Sequence, residues 1–182
     1  MRPETATFDM TEDAARRALF DRLLAEHGPG IRRVARVYAR GGAEEADLAQ
    51  EIAVAVWRAL PAFRAECTER TFVYRIAHNR GITHVEGRRL RATTPIEDAP
   101  QVPDPRPSPE VALDAARRRD ALFRALAELP VGSRAVITLA LEGLSHAEIA
   151  DVLGSTENSV AVRLSRGRAE LRERLRTLEA GR

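Results

Sequence analysis

A cluster of prolines divides the chain into two parts. Six of the ten prolines lie between Pro95 and Pro109, in a stretch with few apolar residues. Proline lacks a backbone N–H and clashes with the preceding helical turn, so this spacing forbids a helix there. It favours an extended, semi-rigid linker over residues 93–109. The 182-residue chain therefore leaves two flanking segments, each of a length that suits one small domain.

The charge distribution agrees with this division. Residues 11–92 hold 15 arginines against 11 acidic residues, and residues 117–182 hold 12 against 9. The intervening residues 93–116 hold one arginine against five acidic residues. All 29 basic residues are arginine and none is lysine. Codon usage is the simplest explanation, although the planar guanidinium of arginine also suits contacts with phosphate and guanine. Two basic segments are thus joined by an acidic tether.

Several classes of protein are excluded or disfavoured by residue usage. A single cysteine, Cys67, forms no internal disulfide, and no apolar run approaches a membrane span. The acidic N-terminus does not look like a signal peptide, so we expect a cytoplasmic protein without membrane insertion. His78 and His84 do not share a helix face, and there is no Gly-rich phosphate loop. We therefore expect no catalysis, no metal and no cofactor.

Helical periodicity runs through the first segment, which we predict to be one all-α domain over residues 11–92. Because proline and glycine stop helices, His27-Gly28-Pro29-Gly30 predicts a break between two helices. The predicted helices cover about residues 11–26, 30–40, 43–60 and 68–90.

The second segment predicts a second small helical domain over residues 110–179. Its first helix begins at Ser108-Pro109-Glu110, a capping residue followed by proline, and runs to about Glu128. A shorter helix runs from Pro130 to about Glu142. Ser145-His146-Ala147-Glu148 is a capping box that opens a third helix, ending at Gly154. Thr156 caps the last, which continues to about Leu178.

Residues 145–168 have the pattern of a helix-turn-helix, in which a short capped helix, a tight turn and an arginine-rich helix follow one another. The second helix of such a motif enters the DNA major groove. Arginines can pair with guanine or neutralise phosphates there. The candidate DNA-contacting residues are Thr156, Asn158, Ser159, Arg163, Ser165, Arg166 and Arg168.

Two helices of the first segment carry further candidate sites. Asp47, Gln50 and Glu51 share one face of the third helix, which is either a solvated acidic face or a docking surface. On the fourth helix, aromatic side chains alternate with basic and amide ones. Such a surface suits base stacking and contact with a single strand. An alternative is that its apolar residues simply pack in the core.

These motifs occur in one order: DLAQEIAVAVWRAL at 47–60, FRAECTERTFVYRIAHNRG at 63–81, EGLSHAEIADVLG at 142–154 and SVAVRLSRGRAELRERL at 159–175. In this order they resemble a bacterial RNA polymerase sigma factor of the extracytoplasmic-function (ECF) group. The resemblance implies two all-α domains joined by the Pro-rich linker. The first, sigma domain two, would bind core RNA polymerase and melt the minus-ten promoter element. The second, sigma domain four, would read the minus-thirty-five element.

The resemblance also implies roles for particular residues. Asp47, Gln50 and Glu51 match the polymerase-docking motif. Ser165 and Arg166 match base-reading positions, whereas Ala161 and Val162 replace polar residues, and Gly167 replaces a common alanine. The residues that match the stretch capturing the melted minus-ten strand are Phe63, Arg64, Tyr74, Arg75, Asn79 and Arg80.

The function expected from this resemblance is that of a transcription initiation factor whose partners are core RNA polymerase and promoter DNA. Many members are held inactive by an anti-sigma factor between the two domains, and the linker here would permit that. One alternative is a stand-alone helix-turn-helix repressor or activator, which would bind duplex DNA without polymerase.

Overall fold

The computed structural model describes residues 4–91 and 110–180. In these ranges the chain forms seven α-helices and one 3₁₀ turn, and no strand. The expected all-α fold class is therefore confirmed. The linker and the Ser108-Pro109 helix start lie outside the described residues. The helices are α1 (Glu4–Tyr38), α2 (Gly42–Ala59), α3 (Glu69–Arg91), α4 (Glu110–Glu128), α5 (Val131–Leu141), α6 (His146–Leu153) and α7 (Glu157–Ala180).

Helices α1, α2 and α3 pack on one another and form an N-terminal helical unit. Their apolar faces bury a core of aliphatic side chains, as expected from the low aromatic content. Leucine, isoleucine and valine bury their apolar area in it, which is the main source of stability for such a unit. The core residues include Leu23, Val34, Tyr38, Leu48, Ile52, Val56 and Val73.

The prediction of a break at residues 27–30 was wrong. Helix α1 continues without interruption through Gly28, Pro29 and Gly30. Leu23 before this segment and Ile31 after it are both buried. Packing of a continuous apolar face thus outweighs the poor helix propensity of glycine and the hydrogen bond lost at proline.

Gly30 is required for close packing and does not end the helix. A Cβ atom at this position would lie 2.0 Å from the Tyr74 hydroxyl oxygen and 2.7 Å from a carboxylate oxygen of Glu142. Gly30 therefore permits a close approach of α3 and of the chain after α5, instead of ending a helix.

Helices α4 to α7 form a C-terminal helical unit in which both ends of α6 and the start of α7 match the predicted signals. The Ser145 side chain accepts a hydrogen bond from the Glu148 amide and the Glu148 carboxylate accepts one from the Ser145 amide, so the capping box is present. Gly154 ends α6 with φ +59°, a left-handed conformation that favours glycine. Thr156 accepts a hydrogen bond from the Ser159 amide at the start of α7.

Gly167 in α7 is explained by helix packing. A Cβ atom there would lie 2.8 Å from the terminal methyl of Ile137 and 3.3 Å from Ser133, both on α5. The glycine lets α7 lie close against α5, which offsets the helix propensity lost relative to alanine.

A second close helix approach in the N-terminal unit involves Gly81 of α3 and Tyr38 of α1. A Cβ atom on Gly81 would lie 2.5 Å from a carbon of the Tyr38 ring, and that ring is fully buried. The Tyr38 hydroxyl lies 2.9 Å from Nδ1 of His78, a buried side chain. Burial lowers the pKa of His78 from 6.5 to about 4, so the ring is neutral at physiological pH.

We expect Gly81→Ala to destabilise the protein. Overpacking against a buried ring costs about 1–3 kcal/mol, which exceeds the gain of up to about 1 kcal/mol from helix propensity. Gly132→Ala is the matched control, because its Cβ would lie 4.0 Å from the nearest atom of Arg163. The free energy of unfolding of the Gly132→Ala protein, measured with urea, should equal or exceed that of the wild type. A Gly81→Ala protein as stable as the wild type would contradict this packing.

Acidification should destabilise the protein partly through His78. The folded pKa lies below the unfolded one, so the unfolded chain takes up the proton first and stability falls as pH falls from 6.5 to about 4. Between these two pH values, His78 lowers the free energy of unfolding by roughly 1.4 kcal/mol at most for each pH unit. His78→Asn keeps an acceptor for Tyr38 but does not titrate. Urea unfolding at several pH values should show a shallower pH dependence for this variant than for the wild type.

Candidate nucleic-acid interface

Asp47, Gln50 and Glu51 are exposed side chains on one face of α2. They line a shallow groove together with Val54 of the same helix and Arg80 of α3. Val54 is 41% exposed, which is unusual for a valine on a helix that otherwise buries its aliphatic residues. The groove thus combines two carboxylates of α2 with Val54 and with the guanidiniums of Arg58 and Arg80. Its carboxylate-bearing side on α2, called the acidic groove below, is suited to docking a basic protein helix.

The loop before α3 holds two of the predicted minus-ten residues. The Phe63 ring packs on the Phe72 ring, with centroids 4.6 Å apart. The exposed Arg64 donates a hydrogen bond to the Pro61 carbonyl oxygen. Ala65 adopts φ +55°, a left-handed conformation that is unfavourable for alanine. This short loop is therefore held in a defined, strained shape that keeps Arg64 at the surface.

Tyr74 and Arg75 on α3 face the C-terminal unit. Tyr74 is buried, and its hydroxyl donates a hydrogen bond of 2.9 Å to the Glu142 carboxylate. Burial and the negative charge of Glu142 raise the pKa of this hydroxyl. Arg75 forms an ion pair of 2.8 Å with Asp151 of α6. In this arrangement both predicted minus-ten side chains are engaged by acidic residues of the other unit.

Asn79 and Arg80, farther along α3, are exposed beside α2. They line a second shallow groove with Ala55, Ile76 and Thr83, and Arg80 also belongs to the acidic groove. The structure therefore spreads the six predicted minus-ten residues over three places: the loop before α3, the contact with the C-terminal unit, and the groove between α2 and α3.

Helix α7 separates its buried and exposed faces clearly. Val160, Leu164 and Gly167 are buried against the rest of the C-terminal unit. Of the predicted DNA-contacting residues, all are exposed except Ser159, which is half-buried. The exposed ones are Thr156, Asn158, Arg163, Ser165, Arg166 and Arg168. A polar and basic helix face directly after a tight turn is the geometry that a major-groove reader presents.

Sequence reasoning undervalued Val162. It is 43% exposed and lies on the same side of α7 as Asn158 and Ser165, at helical spacings of four and three. An exposed apolar side chain in this position can contact the methyl group of thymine. The spacing of four residues from Asn158 is the sequence feature that places Val162 on this face, in addition to its replacing a polar residue.

Sequence reasoning missed the acidic partners in the C-terminal unit altogether. Both oxygens of the Glu142 carboxylate are engaged by Arg33 of α1, at 2.7 and 2.6 Å. Such a two-pronged ion pair is among the stronger polar contacts in proteins. It joins residues 109 positions apart, and a pairing of that separation has no local signal in a sequence.

Other kinds of site are not indicated in the parts of the chain that the structure covers. Among residues 4–91 and 110–180, no three His, Cys, Asp or Glu side chains lie together as a metal site. None of the helices described above is both long and apolar enough to cross a membrane.

Comparison with known proteins gives two family matches in the order of the two units. Residues 23–91 match sigma-70 region 2, and residues 119–171 match sigma-70 region 4. The ECF RNA polymerase sigma factor SigE of Mycolicibacterium smegmatis is 34% identical over 173 residues, which cover 94% of this chain and 67% of SigE. The sigma factor CnrH of Cupriavidus metallidurans is 32% identical over 181 residues, covering 94% and 95% of the two chains.

Solved structures agree with these matches. CnrH in complex with the cytosolic domain of CnrY superposes with a TM-score of 0.64 at 28% identity, covering 88% of this chain and 90% of CnrH. The sigma factor RpoE in complex with the anti-sigma factor NepR from Bartonella quintana has a TM-score of 0.65 at 21% identity, covering 86% and 96%. Because the identity with RpoE is only 21%, that comparison shows similarity of fold alone.

The acidic groove of α2 and the exposed polar face of α7 therefore lie in a chain that matches sigma factors over most of its length. The chain belongs to the ECF group of bacterial RNA polymerase sigma factors, the initiation factors that bind core RNA polymerase and direct it to promoters.

Proposed function

We propose that this sigma factor docks on core RNA polymerase through the acidic groove of α2. The supporting observation is that Asp47, Gln50 and Glu51 are all exposed on one face, beside the unusually exposed Val54. The apolar residue supplies buried area on docking, while the carboxylates steer a basic partner and fix its register. We further propose domain boundaries at residues 11–92 and 110–179, with residues 93–109 as the tether.

The minus-ten role is proposed for the loop before α3 and for α3 itself. Phe63 offers a ring next to the exposed Arg64, and Asn79 and Arg80 offer donors farther along the helix. Unstacking bases costs a few kcal/mol per step, and contacts with rings and guanidiniums offset it. A domain of this size supplies those contacts effectively only when polymerase holds it on the promoter.

The minus-thirty-five role is proposed for the exposed face of α7. Asn158, Ser165 and Arg166 would approach base edges from the N-terminal half of the helix, and Val162 would contact a thymine methyl. Arg163 and Arg168 would neutralise phosphates and position the helix. The stand-alone regulator is not favoured, because such a protein has no use for the acidic groove.

An anti-sigma factor is proposed as a further partner, since the relative CnrH was solved with the cytosolic domain of CnrY. We also propose that the chain acts in the cytoplasm and has no catalytic activity of its own. Transcription with purified core polymerase on a fragmented bacterial genome tests the function as a whole. New start sites that need this protein are expected. Retention of specific DNA by the protein alone, without new starts, would instead support a stand-alone regulator.

We expect Asp47→Ala and Glu51→Lys to weaken binding to core polymerase by at least about tenfold, because both change charges that face the partner. Both residues are exposed, so the folded structure should be kept. Glu173→Lys is the matched control: it reverses an exposed carboxylate on α7, where the side chain is 69% exposed. Fluorescence anisotropy of labelled protein titrated with core polymerase measures the affinity. Unchanged affinity in both groove variants would refute the docking site.

We expect Arg166→Ala to weaken binding to the minus-thirty-five duplex by about 1–3 kcal/mol and to relax specificity at one base pair. Arg168→Ala should weaken binding to all sequences and reduce the salt dependence instead. Arg176→Ala is the control, because that side chain pairs with Glu173 near the end of α7. Duplex binding by the holoenzyme at several salt concentrations separates these effects. An Arg166→Ala protein with unaltered specificity would refute its base-reading role.

A further inference from the structure

A polar cluster centred on Glu142 joins the two helical units. Glu142 follows α5, and its side chain is only 3% exposed. Its carboxylate accepts hydrogen bonds from Arg33 of α1 and Tyr74 of α3, and its backbone oxygen accepts one from Arg70 of α3. Every donor in this cluster belongs to the N-terminal unit, and the acceptor belongs to the C-terminal unit.

Two further ion pairs have the same polarity. Arg75 of α3 pairs with Asp151 of α6 at 2.8 Å, and Arg36 of α1 pairs with Asp120 of α4 at 2.6 Å. The Arg36 guanidinium also lies over the Phe123 ring, 4.5 Å from its centroid. In each pair the cation comes from the N-terminal unit and the carboxylate from the C-terminal one. These ion pairs between the units thus all have the cation on the N-terminal unit, and they lie beside an apolar core that both units share.

Two glycines make room for this contact, one from each unit. Alanine at Gly30 would place a Cβ within 2.7 Å of both the Tyr74 hydroxyl and the Glu142 carboxylate. Gly143 adopts φ +78°, and its Cβ would lie 3.0 Å from the Arg70 guanidinium. Glycine inside a helix is less favourable than alanine, and this contact explains why Gly30 is nevertheless present in α1.

We propose that, in the free protein, Glu142 and Asp151 bind side chains of α3 and α1 that bind an anionic DNA strand when the promoter is melted. Carboxylate and phosphodiester oxygens accept the same charge-assisted hydrogen bonds from arginine. The C-terminal unit is then an internal competitor of single-stranded DNA for Arg33, Tyr74 and Arg75. This inference rests on the minus-ten role proposed above for α3 and extends that role to Arg33 of α1.

The competition has a consequence for regulation. When the closed arrangement dominates, the apparent affinity for single-stranded DNA is reduced by the fraction of molecules that are open. Polymerase would bind the N-terminal unit through α2 and the minus-thirty-five duplex would bind the C-terminal unit through α7, as proposed above, so that their binding energy offsets the cost of opening. The free protein therefore engages single strands weakly, and the holoenzyme does so strongly.

The test compares two double variants of the full chain that carry the same change in net charge. Glu142→Gln with Asp151→Asn removes both competing carboxylates while keeping side-chain shape. Glu128→Gln with Glu173→Gln is the control, because these carboxylates pair with Arg174 and Arg176 inside the C-terminal unit. Anisotropy of a fluorescein-labelled single-stranded DNA of mixed sequence measures binding, and small-angle X-ray scattering measures the radius of gyration.

We expect the first double variant to be more extended and to bind the strand about tenfold more tightly, as for a closed state populated at roughly nine in ten molecules. The control should stay compact and gain less than about twofold. An equal gain in both would attribute the effect to net charge and overturn the proposal. Opening without tighter binding, or no opening at all, would overturn it as well.

Arg36→Ala provides a second, independent variant that leaves the Glu142 cluster untouched. It removes a positive charge, which by itself weakens DNA binding, yet it should raise the affinity for the strand by opening the contact with Asp120 and Phe123. A lower affinity would count against the proposal even if the first variant failed to fold. Wild-type binding to core polymerase is measured in parallel, and its absence would refute the proposed function instead of the internal competition.

Discussion

The hydrophobic contact of α1 with α2 and α3 is the interaction on which the rest of the molecule depends. One face of the 35-residue helix buries Leu23, Val34 and Tyr38 in the N-terminal core. Because this face is continuous, α1 remains helical through Gly28-Pro29-Gly30, where local propensity favours a break. The uninterrupted helix then presents Arg33 and Arg36 on the side that faces the C-terminal unit.

Arginine makes the ion pairs between the two units, beside the apolar core that they share. Glu142 lies nearly out of solvent, so its charge needs several donors, and Arg33 supplies two while Tyr74 supplies a third. A buried carboxylate with its partners removed is costly, which gives the contact specificity in addition to attraction. The guanidinium fork is suited to both carboxylate and phosphate, so a chain that uses only arginine can exchange one anion for the other.

Much of the fold and part of the site were predictable from local signals. The capping box at Ser145, the left-handed Gly154 and the Thr156 cap of α7 follow from short-range chemistry, and the structure contains them. The break at residues 27–30 was wrong, because a prediction from propensity does not include the burial that follows when distant helices pack. The exposure of the α2 acidic face agrees with helical spacing alone, whereas its docking role stays a prediction.

The sequence by itself determined that the chain is all-α, that it resembles a sigma factor, and which side chains α2 and α7 present on one face. The helices and their faces depend on periodicities of three and four residues and on capping groups a few positions apart. The resemblance depends instead on four motifs that occur in one order. Only the tertiary structure decided that Tyr74 is buried against Glu142 and that Arg75 pairs with Asp151. Those partners are 68 and 76 residues apart, so they meet only after the helices have packed and no local pattern encodes them.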